Sequence, residues 1–165
     1  MSSDLKIIIM KKELKLNYNQ LNHWEELSDA DQVLVQKAKG VMSNAYTPYS
    51  KFKVGAAVLL SNNTVVTGSN QENIAYPSGL CAERVALFYA GANYPNEKVK
   101  TLCIVAKGNL VSVETTLSPC GACRQVMLET EIRQDEPYRV ILVCQNDVTI
   151  IFSSASDFLP LAFGL

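Results

Sequence analysis

"SGLCAERVALF", residues 78–88, decides how this chain is read. Cys81 stands where a predicted helix, "CAERVALFYAGA", begins, and Glu83 follows two positions later; Gly91 and Pro95 beyond it bring that helix to a stop. A second stretch, "SPCGACRQV" at 118–126, repeats the arrangement, with proline and glycine setting Cys120 and Cys123 in the opening turn of another helix. Positions i and i+3 share one helical face, and the dipole at a helix N-terminus favours thiolate. Alone, that pair suits a thioredoxin-like redox couple as well as half of a zinc site. A zinc ribbon needs a second such pair, which the sequence lacks, and His23 is the only histidine, so a Cys2His2 finger is excluded. Cys81 supplies the missing third sulfur. Three cysteines without a fourth protein ligand leave tetrahedral Zn²⁺ one corner open to water, the pattern of a catalytic site. Glu83, beside the metal but not on it, is then placed as the general base for that water.

Working outward, the rest of the chain is organised as one domain without repeats or linker-like composition. Residues 1–27 form an N-terminal extension, and residues 28–165 the domain proper. Ser28 and Asp31 make a capping signal, followed by Val33, Leu34, Ala38, Val41, Met42 and Ala45 at helical spacing. "KVGAAVLL" and "TVVTGS" flank the turn residues "SNN" and predict a hairpin. "KTLCIVAK" and "YRVILVCQ" are buried strands, and "VTIIFS" is an edge strand. The order β-β-α-β-α-β-β after an initial helix implies a mixed sheet with helices on its faces. In the extension, Leu5, Ile7 and Ile9 alternate, which favours an added strand or an interface element.

The composition narrows the function classes. Of 165 residues, 48% are hydrophobic and 19% charged, and the net charge is −1. That is the balance of a folded domain, and it offers no broad basic surface for a polynucleotide. No apolar run approaches the roughly 20 residues of a membrane span, and "IIIM" is too short for a signal-peptide core. A cytoplasmic, reducing compartment is the expectation, and five cysteines, an odd number, then argue for metal or redox chemistry over disulfides. Cys103 and Cys144 lie in apolar strand-like runs and are expected in the core.

"CAE" followed by "PCGAC" resembles the signature of the zinc nucleobase deaminases, H/C-x-E…P-C-x-x-C. With "YSKFKVGAAV" upstream and "NQENIAY" before the first cysteine, the chain is similar to the homotetrameric, three-cysteine cytidine deaminases from about Ala45 onward. The resemblance implies a three-layer α-β-α sandwich around a mixed five-stranded sheet. It implies one Zn²⁺ per chain on Cys81, Cys120 and Cys123, with Glu83 as the catalytic proton shuttle. The implied reaction is hydrolytic deamination of cytidine and deoxycytidine to uridine and deoxyuridine with release of ammonia, in pyrimidine salvage.

Three thiolates on Zn²⁺ sum to about −1, so something positive must offset them. Two helix N-termini contribute, and the resemblance gives Arg84 that tuning role. Asn70 and Glu72 sit two apart, so on an extended segment both face one ligand; in the family these positions hold the ribose hydroxyls. Phe52 corresponds to the aromatic packed on the pyrimidine, and Ala82 to a further substrate contact. Gly55 and Ala56 are read as leaving room for the base. Tyr76 and Phe163 align with residues that neighbouring subunits supply to each pocket. Within this fold, the nearest rival substrate is another aminopyrimidine nucleoside such as blasticidin S. A thiol oxidoreductase would leave Cys81 and Glu83 idle, and a structural zinc module would not need Glu83.

Overall fold

The computed structural model describes residues 10–163. Six strands make one mixed sheet: β1 (Asn19–Leu21), β2 (Lys53–Leu60), β3 (Val65–Ser69), β4 (Val99–Lys107), β5 (Arg139–Val143) and β6 (Thr149–Phe152). Their spatial order is β1-β6-β5-β4-β2-β3. Only β4 and β5 run parallel; the other neighbours are antiparallel. Helix α1 (Asp29–Val41) covers one face, and α2 (Ala82–Asn93) and α3 (Gly121–Gln134) cover the other. This is the expected three-layer sandwich, with a sheet one strand wider than expected.

The two-sided burial explains the sequence pattern. Successive strand side chains point to opposite faces, so Leu102, Ile104, Val140 and Leu142 meet α2 and α3, while Cys103, Val105, Ile141 and Val143 meet α1. A strand buried on both faces has no reason to alternate with polar residues, hence the continuous apolar runs. Cys103 and Cys144 are core residues as expected. Burial pushes the Cys103 thiol well above its ordinary range, and the Cys144 sulfur accepts the Leu117 amide at 3.3 Å.

Ser28 caps α1 as its sequence signal implies, accepting the Asp31 amide at 3.3 Å. The buried face differs from the one expected. It is Asp31, Leu34, Val35 and Ala38, while Val33 is 50% exposed. Once Leu34 and Ala38 face the sheet, the stripe falls on 31, 34, 35 and 38, and Val33 lies off it. Asp31 belongs there because Arg139 on β5 grips both its oxygens, at 2.9 and 3.2 Å. In the hairpin, Asn63 takes the left-handed conformation with φ 65°, and Asn62 accepts the Thr64 amide at 2.9 Å.

The added strand predicted around Leu5, Ile7 and Ile9 falls outside the described residues. A strand does come from the first 27 residues, at the polar segment Asn19–Leu21, which pairs antiparallel with β6. Trp24 and Leu21 then pack against the α1-side core. Lys39 of α1 lies 4.2 Å over the Trp24 ring and 3.1 Å from Asp147; such exposed contacts contribute about 0.5–1 kcal/mol each. Among the described residues no helix is long and apolar enough to cross a membrane.

Candidate active site

The fold turns the first turns of α2 and α3 toward one point. Cys81 is the N-cap of α2, Cys120 is the N-cap of α3, and Cys123 lies within α3's first turn. The sulfurs of all three lie within 4.8 Å of one another, and those of Cys120 and Cys123 are 3.4 Å apart. Around one zinc ion, sulfurs bound at about 2.3 Å in tetrahedral array sit roughly 3.8 Å from each other. The observed spacing brackets that value, and three soft sulfur donors at two helix N-termini are the donor set zinc prefers. The residues fit the ion.

What brings the two helix starts together is partly glycine. A Cβ on Gly68 of β3 would lie 2.6 Å from the Ala82 carbonyl oxygen and 2.7 Å from the Ala86 amide. The bare backbone of β3 therefore lets the first turn of α2 sit directly on the sheet. Gly55 does a similar service elsewhere. Its missing side chain faces the Ala38 carbonyl of α1, 2.0 Å from where a Cβ would be. The space read as room for a base thus admits a helix, and Ala56 is buried in the α2–α3 core.

The electrostatics separate the sulfurs. The Cys123 thiol hydrogen-bonds Cys81, which outweighs burial and, with the Arg84 guanidinium, pushes the Cys81 thiol down to about 5. Cys123 moves upward for the complementary reason: the bond to Cys81, its burial and the charge of Glu83 all hold its proton on. Arg84 donates from Nη2 to the Cys81 sulfur at 3.7 Å, while its Nε is buried without a hydrogen-bond partner. A guanidinium directed at sulfur, with one buried donor unused, is what a more negative sulfur cluster would satisfy. Glu83 is 5% exposed, and burial pushes its carboxyl up from the usual carboxylate range. It lies on α2's first turn, near enough to Cys123 for its charge to be felt there.

The "NQEN" segment is stitched between two neighbours. Gln71 exchanges backbone hydrogen bonds with Leu80 at 2.8 and 2.9 Å, and the Tyr46 backbone pairs with Asn70 and Glu72 at 3.0 and 2.9 Å. Asn70 and Glu72 both face the 49–54 segment, as alternate residues should. Asn70 accepts the Val54 amide at 2.8 Å and donates to the Phe52 carbonyl at 2.9 Å. Its amide therefore extends the β2–β3 ladder and retains one N–H and one lone pair for a ligand. Glu72 accepts the Tyr49 and Ser50 amides at 2.9 and 3.3 Å. The Ser50 hydroxyl is the largest of the influences that hold its carboxyl low, so it is ionised at neutral pH. Phe52 is half-buried beside Gly108. Ala82 is fully buried, which leaves its main chain as the part able to meet a ligand. Tyr76 and Phe163 are each 89% exposed and are not drawn to the cysteines within this chain.

Sequence reasoning missed Gln71, Ser50, Gly68 and Arg124. Arg124 follows Cys123 directly and bonds the loop before Cys120; its charge at a helix start, against the dipole, was the available signal.

A family profile described as the zinc-binding region of cytidine and deoxycytidylate deaminases matches residues 28–135. A cytidine deaminase from Halalkalibacterium halodurans is 38% identical over 132 residues, covering 80% of this chain and 92% of that protein. One from Mycobacterium tuberculosis is 35% identical over 143 residues, covering 84% and 94%. The crystal structure of a cytidine deaminase from Burkholderia pseudomallei superposes with a TM-score of 0.65 at 38% identity, covering 80% of this chain and 98% of that one.

Proposed function

The chain belongs to the zinc-binding cytidine and deoxycytidylate deaminase family, and from that premise we propose that it hydrolyses cytidine and deoxycytidine to uridine and deoxyuridine, releasing ammonia. The observation that carries this reading is the three-sulfur cluster with a buried carboxylic acid two residues from one of its members. In this reading Cys81, Cys120 and Cys123 hold one Zn²⁺, which when bound supplies a Lewis acid that lowers the pKa of water toward neutrality. Glu83 takes a proton from the attacking water and delivers it to ring N3. It then takes the second proton from the hydroxyl newly bonded to C4 and gives it to the departing amine, leaving the C4 carbonyl of the product. One carboxyl serves both transfers because they occur in sequence at the same carbon. Its raised pKa suits the work, since an acid poised nearer neutrality both accepts and returns protons readily.

Arg84 offsets the negative sulfur cluster. Glu72, ionised and anchored by two backbone amides, and Asn70, with its spare N–H, receive the ribose hydroxyls; Phe52 packs on the base, and the Ala82 main chain adds a contact. Residues 28–165 form the catalytic domain and 1–27 an extension of it. The protein works in the cytoplasm as a homotetramer, in which Tyr76 and Phe163 complete pockets of neighbouring copies. Their near-complete exposure in the single chain supports that assignment, as does the need of three zinc-binding thiols for a reducing compartment. No polynucleotide partner is proposed.

The test is the ultraviolet change on adding purified protein to cytidine. The expected outcome is steady conversion, stopped by a zinc chelator and restored by added Zn²⁺. An unchanged cytidine spectrum with a zinc-loaded protein sinks the reading.

A further inference from the structure

Arg124 leaves the first turn of α3 and directs all three guanidinium nitrogens at acceptors. Nη2 donates to Ser118 Oγ at 2.7 Å, Nε to the Pro119 carbonyl at 2.9 Å, and Nη1 to the Phe158 carbonyl at 3.0 Å. Ser118 and Pro119 directly precede Cys120, the one exposed cysteine of the cluster. The other end of that loop is fixed by the Leu117 amide on the Cys144 sulfur. Phe158 closes the short turn Ala155–Phe158, whose opposite end is held by Glu131 of α3. That carboxylate accepts from the Ala155 amide at 2.7 Å, the Ser156 amide at 3.3 Å and the Ser154 hydroxyl at 2.5 Å. One helix therefore clamps both ends of the turn, with a carboxylate on its amides and a guanidinium on its last carbonyl. Gln125, next to Arg124, donates to the Phe163 carbonyl at 2.9 Å, so the arm beyond the turn is also carried by α3.

We propose that Arg124 is a positioning residue that locks the Cys120 loop and the C-terminal arm into a single unit. The grip on the metal and the seating of the turn that leads to Phe163 then depend on the same guanidinium, with Gln125 beside it holding the Phe163 carbonyl. This rests on the reading of Cys120 as a metal ligand and of Phe163 as a pocket residue. Cys120 has the least surrounding protein to hold it, so its sulfur is only as well placed as the backbone before it, and Arg124 fixes that backbone. A lysine cannot substitute. Three acceptors lie around a planar fork, and one ammonium cannot reach them all.

The test compares zinc-loaded wild type with Arg124→Lys, Arg124→Ala and Glu131→Gln, reading zinc transfer to a chromophoric chelator, thermal unfolding, and kcat and KM for cytidine under excess zinc. Both Arg124 variants are expected to surrender zinc about 10–100-fold faster, the range for loss of a group that orients a metal ligand. With zinc in excess they regain kcat but keep a raised KM, because the arm stays loose. Glu131→Gln loosens the far end of the turn and the Tyr138 amide that the same carboxylate accepts at 3.3 Å, but no contact to the loop before Cys120; it melts earlier and yields zinc at the wild-type rate. If Arg124→Ala fails to fold, Arg124→Lys and Ser118→Ala, which removes a single bond of the three, decide the matter. Zinc transfer from the Arg124 variants within twofold of wild type, however far their melting falls, overturns the proposal while leaving the deaminase reading intact. A wild-type protein that binds no zinc overturns both.

Discussion

Two kinds of helix start share one backbone conformation in this molecule. Ser28, before α1, has φ −59° and ψ 154°; Cys81, before α2, has φ −73° and ψ 153°; Cys120, before α3, has φ −68° and ψ 165°. All three are N-caps in the extended conformation that a cap requires. The serine turns its oxygen back onto the Asp31 amide, whereas neither cysteine makes a side-chain cap hydrogen bond. Exchanging oxygen for sulfur at the same place thus changes the purpose of a helix terminus. The first stabilises its own helix; the other two leave their first-turn amides without a side-chain cap and give their sulfurs to the cluster instead. Helix α1 is an element of the scaffold, and α2 and α3 are elements of the site.

That contrast can be broken, and the largest effect is expected where it is sharpest. Cys81→Ser makes α2 begin as α1 does. It should remove bound zinc and with it all measurable deamination, while the new hydroxyl caps the helix and keeps the melting temperature near that of the zinc-free wild type. Metal analysis of the purified variant decides; a full zinc complement would mean that the sulfur is not a ligand. Next comes Glu83→Gln, which leaves every sulfur in place. Turnover should fall by about 10²–10⁴-fold, the usual loss of a general acid–base group, with one zinc per chain retained. Undiminished turnover would reduce the cluster to a structural metal centre.

A smaller effect is expected of Arg84→Ala, which removes the cation at the Cys81 sulfur. A loss of about 10–100-fold in zinc affinity or rate follows, with the circular dichroism spectrum unchanged; wild-type metal content together with wild-type rate would show a merely solvated arginine. The smallest effect belongs to the scaffold side. Ser28→Ala should cost about 1 kcal/mol of folding stability in denaturant titration and leave zinc content and kcat as they were. A metal defect there would erase the distinction between the two kinds of helix start.

The sequence made legible those parts of the site whose geometry is local. Cys120 and Cys123 share a helical face because they are three apart, Glu83 lies near Cys81 because both belong to one turn, and Ser28 and Asp31 announce their own cap. Asn70 and Glu72 were correctly placed on one side of an extended segment. What escaped depends on partners distant in the chain. The fork of Arg124 reaches Phe158, 34 residues away, and no spacing rule connects them. Strand β1 is three largely polar residues, held by backbone pairing to β6, so no alternation of side chains could reveal it. Gly55 was misread for the same reason. That glycine permits a close approach was plain, but whether a ligand or the carbonyl of Ala38 makes it is a tertiary fact. Val33 and Val35 exchanged roles because either fits a loose helical stripe, and the sheet chose between them.

Gly68 carries a consequence for how this chain tolerates change. It lies on β3, thirteen positions from the first cysteine and farther from the others, in a segment with no chemistry of its own. Yet a single methyl group there would have to occupy the place of the Ala82 carbonyl and the Ala86 amide, both backbone atoms that cannot swing aside. The helix would have to lift, and Cys81 rides on its tip. An alanine at this position, innocuous in most strands, would therefore announce itself as metal deficiency. The bare hydrogen of one residue acts as the spacer that sets how far the sulfur stands from its two companions.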